Sequence, residues 1–175
     1  MLSNFKNIKF DNIFLRILFF TLKIKVAMFL TKDKLKFFKK EGFLVLEDFV
    51  SIEDCELLRK RAIEIVKKFD LSESVSIFTT NEQIRNSDKY FLDSGDKIRC
   101  FFEEEAFNEK GELKKPKMFS INKIGHAMHD LDPVFEKFSR TNRLEKITKE
   151  IGFKNPKILQ SMFIFKQPFI GGEVI

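Results

Sequence analysis

Three kinds of side chain in this sequence could do chemistry: a lysine ahead of an alternating run, a methionine in an extended run, and two histidines. Lys97 opens the run Lys97-Ile98-Arg99-Cys100-Phe101-Phe102-Glu103. A lysine at the start of an inward-facing strand offers a fixed positive charge to a carboxylate; a strand-end lysine can equally turn its ammonium to solvent. Met162 lies in Gln160-Ser161-Met162-Phe163-Ile164-Phe165 and shares a strand face with Gln160. Methionine fills irregular core gaps and pocket walls are mostly apolar, so packing and pocket lining are both open to it. His126 and His129, the only histidines, are three apart on a predicted helix, with Asp130 and Asp132 close by. Two histidines and a carboxylate can form a facial triad for iron, yet helical His-x-x-His pairs are common without metal. A hydrogen-bonded structural or substrate-side role suits His126 better. No serine sits in a nucleophile elbow, and Gly171-Gly172 lacks the following helix that a phosphate loop needs.

The elements that must position these groups are marked by caps, breakers and hydrophobic period. Thr31 caps a predicted helix from Lys32 to Glu41, with Leu35 and Phe38 inward and Gly42 as its stop. Phe43 to Leu46 reads as a short buried strand. Ser51 opens the clearest helix, with Asp54 at the reciprocal capping position and Cys55, Leu58, Ala62, Ile65 and Phe69 as its apolar stripe. Arg59-Lys60-Arg61 falls on its solvated face. Residues 70–89 are polar and without period, hence loop; residues 93–96 form a turn. The strand from Lys97 to Glu103 then puts Lys97, Arg99 and Phe101 on one face, and Ile98, Cys100 and Phe102 on the other. Asn108 to Gly111 is a hairpin turn, and Lys114 to Lys117 an exposed loop.

Ser120 to Asp130 is predicted to be helical. A second helix starts at Asp132-Pro133, and a third runs from Thr141 to Ile151, closed by Gly152. Lys157 to Gln167 is a predicted strand on which Ile158, Gln160, Met162, Ile164 and Lys166 share a face. Helices followed by strands, without regular alternation, define an α+β class.

The 175 residues suffice for one domain, and their 23 Phe against one Tyr and no Trp reflect a compositional bias. The net charge of +6 is uneven, since Lys6, Lys9, Arg16, Lys23 and Lys25 face only Asp11 within the first 30 residues. The remainder is close to neutral, which argues against a nucleic-acid partner. Cys55 and Cys100 are far apart in no metal-like spacing, which fits a reducing intracellular compartment, the cytoplasm first. Residues 1–28 precede the folded part; the apolar run that starts within them, residues 11–30, is interrupted by Asp11, Arg16, Lys23 and Lys25, and Lys9, Arg16 and Lys23 fall seven apart on one face of a helix. Residues 1–28 read as a mis-assigned leader ahead of Met28, as a cationic amphipathic helix for organelle targeting or membrane contact, or as a spanning helix.

Three separated stretches, Ser94 to Arg99, Ser120 to His126 and Gln160 to Val174, occur together and in order. In this they resemble the phytanoyl-CoA dioxygenase family of Fe(II)/2-oxoglutarate oxygenases, over residues 29–175. The resemblance implies a double-stranded β-helix, or jelly roll, with N-terminal helices packed on one sheet; this chain would supply the helices and first strands in truncated form. It implies oxidative decarboxylation of 2-oxoglutarate coupled to hydroxylation of a small-molecule substrate, with Fe(II) and 2-oxoglutarate as cofactors. It also implies that Lys97 and Met162 contact 2-oxoglutarate. The family's His-x-Asp iron motif follows a Gly-Gly-Glu-Val stretch, matched here by Gly171 to Val174, so the iron ligands are expected beyond Ile175 and this chain alone is expected not to hold iron. Two readings follow: a dioxygenase represented by part of its chain, or an inactive short product acting as a binding or regulatory module.

Overall fold

Local signals start and stop the helices. In this computed structural model, which describes residues 29–71, 76–78, 88–168 and 170, the described residues fall into two compact units divided between Phe43 and Leu44. The first holds α1, Lys32–Glu41. Thr31 Oγ1 accepts the Lys34 amide, and Gly42, at φ 81°, ends the helix in the left-handed region that suits glycine. The expected strand at Phe43 to Leu46 does not form: Phe43 and Val45 are more than half exposed and lack strand partners among the described residues. An apolar run without a free sheet edge to join has no ladder for its amides.

The second unit begins with α2, Ile52–Lys68, capped by Ser51, whose Oγ accepts the Asp54 amide at 3.0 Å. Its inward stripe is Leu58, Ala62, Ile65, Val66 and Phe69, while Cys55 is exposed. After a short helix α3, Lys89–Leu92, come strands β1, Ile98–Phe102, and β2, Ile121–His126. Three helices follow, α4, Met128–Leu131, α5, Pro133–Ser139, and α6, Asn142–Glu150, and then strand β3, Ser161–Ile164. The strands form an antiparallel sheet in the order β1-β2-β3. Helices with one small antiparallel sheet make the α+β class a finding. The Asn108–Gly111 turn is present, with Phe107 opposite Leu113 and Gly111 at φ 77°.

The segment Ser120–Asp130 corrects the expected helix: most of it is the central strand. A bulge explains the misleading spacing. Phe101 pairs with Lys123 but Phe102 pairs with Ile121, so Asn122 is the extra residue. Asn122 is satisfied elsewhere, donating from Nδ2 to Glu103 at 2.9 Å and accepting the Phe165 amide at 2.9 Å. The shift lets Ile121 and Ile124, three apart as on a helix, both enter the core. There they meet Cys100, Phe102, Ala62, Val66, Met128 and Phe135. Burial pushes the Cys100 thiol up to about 12, so it stays protonated. The expected strand from Lys157 to Gln167 shrinks to Ser161–Ile164, and Lys166, at φ 51°, breaks the extended run after it.

One polar tie joins α2 to α5. Asp132 is buried at the N-cap of α5, accepting the Val134 and Phe135 amides at 3.1 and 3.3 Å and the Arg61 Nε–H at 2.6 Å. Arg61, expected on a solvated face, therefore turns inward to a buried carboxylate, while its other end reaches Glu64 at 2.9 Å. Asp132→Ala removes a cap and the partner of an arginine that stays hydrated on one side. It should cost about 2–3 kcal/mol in urea unfolding at constant m. A loss below about 1 kcal/mol would show that the tie is peripheral.

Candidate functional site

The two faces of the sheet have opposite chemistry. Cys100, Ile124 and Phe163 form a cross-strand row that closes the apolar core. On the other face two rows cross the sheet: Arg99, Gly125 and Met162, then Phe101, Lys123 and Ile164. Phe78, Tyr90 and Phe91 cover part of that face from outside the strands. The Phe78 amide donates to the Phe102 carbonyl and the Phe102 amide to the Ser76 carbonyl, which holds residues 76–78 beside β1. Tyr90 and Phe91 both meet Phe101 edge to face. Met162 and Ile164, near the open edge, remain about half exposed at 48% and 49%.

Lys123 is the electrostatic centre of this face. Its side chain is buried, with Nζ 3.8 Å from the Phe78 ring centre and 5.3 and 5.4 Å from those of Phe101 and Phe91. The aromatic faces attract the ammonium through their quadrupoles, by about 2 kcal/mol where water is excluded. Its Nζ also lies 3.8 Å from Met162 Sδ. A cation and a polarisable thioether thus meet where the covered part of the face gives way to the exposed flank of β3.

Lys97 occupies a different place. Its Nζ donates to the Asp93 carbonyl at 2.8 Å and to Asp96 at 2.9 Å, and its side chain is 47% exposed. Its carbonyl accepts the His126 and Ala127 amides at 2.8 and 3.1 Å, which fastens the turn to β2. The structure therefore does not bring Lys97 and Met162 together: Met162 is on β3, and β2 lies between that strand and β1. The lysine beside Met162 is Lys123. The sequence does not signal this, because a helix over Ser120 to Asp130 would not pair Lys123 with Phe101.

The histidines also part company. His126 ends β2, buried against the rings of Phe101 and Phe91 at 5.4 and 5.7 Å. Its Nδ1 lies 2.7 Å from Ser94 Oγ. Ser94 Oγ donates its single proton to the Phe91 carbonyl, so it accepts from the imidazole Nδ1–H. His129, in α4, places Nδ1 2.9 Å from Ser161 Oγ, and that hydroxyl also accepts the His129 amide. Among the described residues, no group of three or more His, Cys, Asp or Glu is placed to share a metal ion. Gly171 to Val174 lie outside the described residues, as does the whole of residues 1–28.

With this geometry in hand, the relationships of the chain are informative. A family profile for phytanoyl-CoA dioxygenase (PhyH) matches residues 38–175. The phytanoyl-CoA dioxygenase of Arabidopsis thaliana is 48% identical over 146 residues, covering 83% of this chain and 51% of that protein. Phytanoyl-CoA dioxygenase domain-containing protein 1 of Danio rerio is 47% identical over 151 residues, covering 83% of this chain and 52% of that protein. The Caenorhabditis elegans homologue of domain-containing protein 1 is 45% identical over 139 residues, covering 78% and 48%. The chain belongs to the phytanoyl-CoA dioxygenase family. It spans about half the length of the curated relatives it matches.

The burial of His126 carries a pH prediction. Burial holds its pKa below the usual 6.5, the nearby Lys123 charge pushes the same way, and the Ser94 hydrogen bond opposes both. The unfolded chain then binds a proton more readily than the folded one just below pH 6.5, so stability is full above about 6.5 and falls as the pH drops through the folded value. The loss should begin as the pH falls to about 6.5, proceed at no more than about 1.4 kcal/mol per pH unit, and level off below the folded value. His126→Gln should flatten the change in melting temperature over that range. An unaltered slope in the variant would place the titrating group elsewhere.

Proposed function

We propose that this chain forms the N-terminal part of an Fe(II)/2-oxoglutarate-dependent dioxygenase domain, the helices and first strands of a jelly roll, that hydroxylates a small-molecule substrate. On this reading the Lys123–Met162 face is the wall that receives 2-oxoglutarate. The observation that carries it is the buried ammonium of Lys123, 3.8 Å from Met162 Sδ and among the rings of Phe78, Phe91 and Phe101. A pocket of that kind binds an apolar body with a few placed charges. The lysine supplies a point charge with donors for one carboxylate, and the surrounding rings keep water from competing for it. Met162, Ile164 and Phe101 would pack the short carbon chain of the cosubstrate. Burial and the neighbouring Lys123 charge favour the neutral form of His126, which avoids a second positive charge there, and the Ser94 bond orients its ring.

Iron, when bound, supplies the redox chemistry of this class, with open positions for cosubstrate and oxygen. The described residues do not assemble a site for it: His126 and His129 are held by different serines, and no group of three or more His, Cys, Asp or Glu among them is placed to share a metal ion. The ligands are proposed to come from the part of the family domain that these residues do not span.

Titration with 2-oxoglutarate, followed by amide shifts in NMR, tests the cosubstrate wall. Binding should move the amides of β2 and β3. Lys123→Met keeps a long apolar stem among the rings but removes the charge, and should weaken the effect at least about tenfold, since a charged hydrogen bond is worth about 1.5–3 kcal/mol. Lys97→Ala tests the alternative cation predicted from the family motif. If Lys97→Ala abolishes binding and Lys123→Met does not, the carboxylate belongs at the turn before β1 and the wall assigned here is wrong.

A further inference from the structure

The net charge of the chain conceals a division that falls where its two compact units divide. Residues 1–43 hold ten Lys and Arg against Asp11, Asp33 and Glu41. Of 32 basic and 26 acidic side chains in all, this leaves 22 and 23 for residues 44–175. The first unit thus carries a charge of +7 and the second one of −1. Half of the ten cations lie on α1: Lys32, Lys34, Lys36, Lys39 and Lys40. Lys32, Lys36, Lys39 and Lys40 recur at spacings of three and four, and so share one face of the helix.

Little within the unit answers that face. Lys40 pairs with the adjacent Glu41 at 2.6 Å. Among the described residues, Lys32, Lys36 and Lys39 have no acidic partner, and all three are exposed. Beside the lysines stand aromatic rings. Phe37 lies three residues before Lys40 and so next to it on the helix surface. Phe37 and Phe43 are 44% and 57% exposed and meet edge to face at 5.4 Å. Phe29, just ahead of the helix, is exposed as well. Leu35 and Phe38 take the half-buried side, and no residue of α1 is fully buried.

Exposed rings beside a row of unanswered lysines match the two layers of an anionic bilayer surface. Headgroup charge attracts the ammonium groups, while aromatic rings settle at the boundary between headgroups and acyl chains. A nucleic-acid duplex would answer the charge but leave Phe29, Phe37 and Phe43 without an apolar partner. We propose that α1 holds the chain on an anionic lipid surface, with Lys32, Lys36, Lys39 and Lys40 against the headgroups and Phe37 and Phe43 inserted among them. The helix would lie along the surface, since its 10 residues are too few to cross a bilayer. The Lys and Arg within residues 6–25 add to the same attraction by their charge. This attachment is independent of the dioxygenase reading, because Lys123 and Met162 belong to the second unit.

Vesicles of phosphatidylcholine, with and without phosphatidylserine, are the probes, and co-sedimentation of the full chain is the first readout. The chain should bind the mixed vesicles, ignore the neutral ones and be released by added salt. Each lysine near an anionic leaflet multiplies partitioning about fivefold, so Lys32→Gln/Lys36→Gln/Lys39→Gln should weaken binding at least about tenfold. Lys110→Gln/Lys114→Gln/Lys154→Gln removes the same charge from the second unit and should change binding less than about twofold. All six lysines are exposed, so both variants should keep the parent melting temperature. The chain has no Trp, so Phe37→Trp places a single reporter on α1, and its fluorescence should move to shorter wavelength on the mixed vesicles. Failure to bind the mixed vesicles, equal loss in the two triple variants, or an unmoved tryptophan spectrum on bound chain would overturn the proposal. So would full binding by the α1 triple variant, which would assign the attraction to residues 1–28. A tighter hold on DNA than on the mixed vesicles at the same salt would also overturn it, because α1 would then serve a nucleic acid.

Discussion

Burying an ammonium group is the demand around which the central sheet is arranged. Removing a charged group from water costs several kcal/mol even after a protein relaxes around it. Lys123 meets that demand on a face where Phe78, Phe91 and Phe101 turn their rings toward Nζ. Each ring must then be held. Tyr90 and Phe91 on α3 pack edge to face on Phe101, and Arg99 lies over the Tyr90 ring at 4.3 Å while donating to the Tyr90 carbonyl. Ser94 ties the end of that segment to His126, and the Lys97 carbonyl fastens it again to the His126 and Ala127 amides. Most of the polar contacts between residues 88–97 and the sheet can thus be understood as keeping one cation surrounded.

The bulge at Asn122 lets the same strand serve the apolar side. With strict alternation, Ile121 and Lys123 would share a face, and either an isoleucine would point among the aromatic rings or the ammonium would enter the core. The extra residue resets the parity, so Ile121 and Ile124 both pack with Cys100 and Phe102 while Lys123 keeps the opposite face. Filling each of those isoleucine sites is worth about 1.5–3 kcal/mol. Asn122 itself is not left unsatisfied, because Glu103 and the Phe165 amide take its side chain and carbonyl. One irregular residue therefore joins an apolar core to a cationic wall through a single strand.

What was legible in the sequence was local. Ser51, Thr31 and Pro133 announce helix starts because a capping oxygen or a missing N–H acts within one turn, and Gly42 stops α1 for an equally local reason. The strand β1 and its two faces were legible too, since nothing interrupts their alternation until the bulge opposite Phe101 and Phe102. The α+β class and the family followed from order and motif. The failures are all non-local. A bulge counterfeits helical spacing at Ile121 and Ile124, an ion pair 71 positions apart turns Arg61 inward, and only cross-strand pairing reveals that Lys123 stands beside Met162. Averaging hid the basic face of α1 in the same way, because the acidic residues that balance it in the sum lie elsewhere in the chain.

The two cationic sites are different physical devices, and this limits what each can contribute. Lys123 is buried among aromatic rings, where salt screens its field much less than at the surface. Such a charge favours one ligand geometry strongly and is suited to orienting a group that must not drift. Lys32, Lys36 and Lys39 stand in water, where an exposed pair with an anion is worth at most about 1 kcal/mol and weakens as ionic strength rises. Three such groups cannot give tight binding by charge alone, but they draw the chain toward an anionic surface and speed its arrival there.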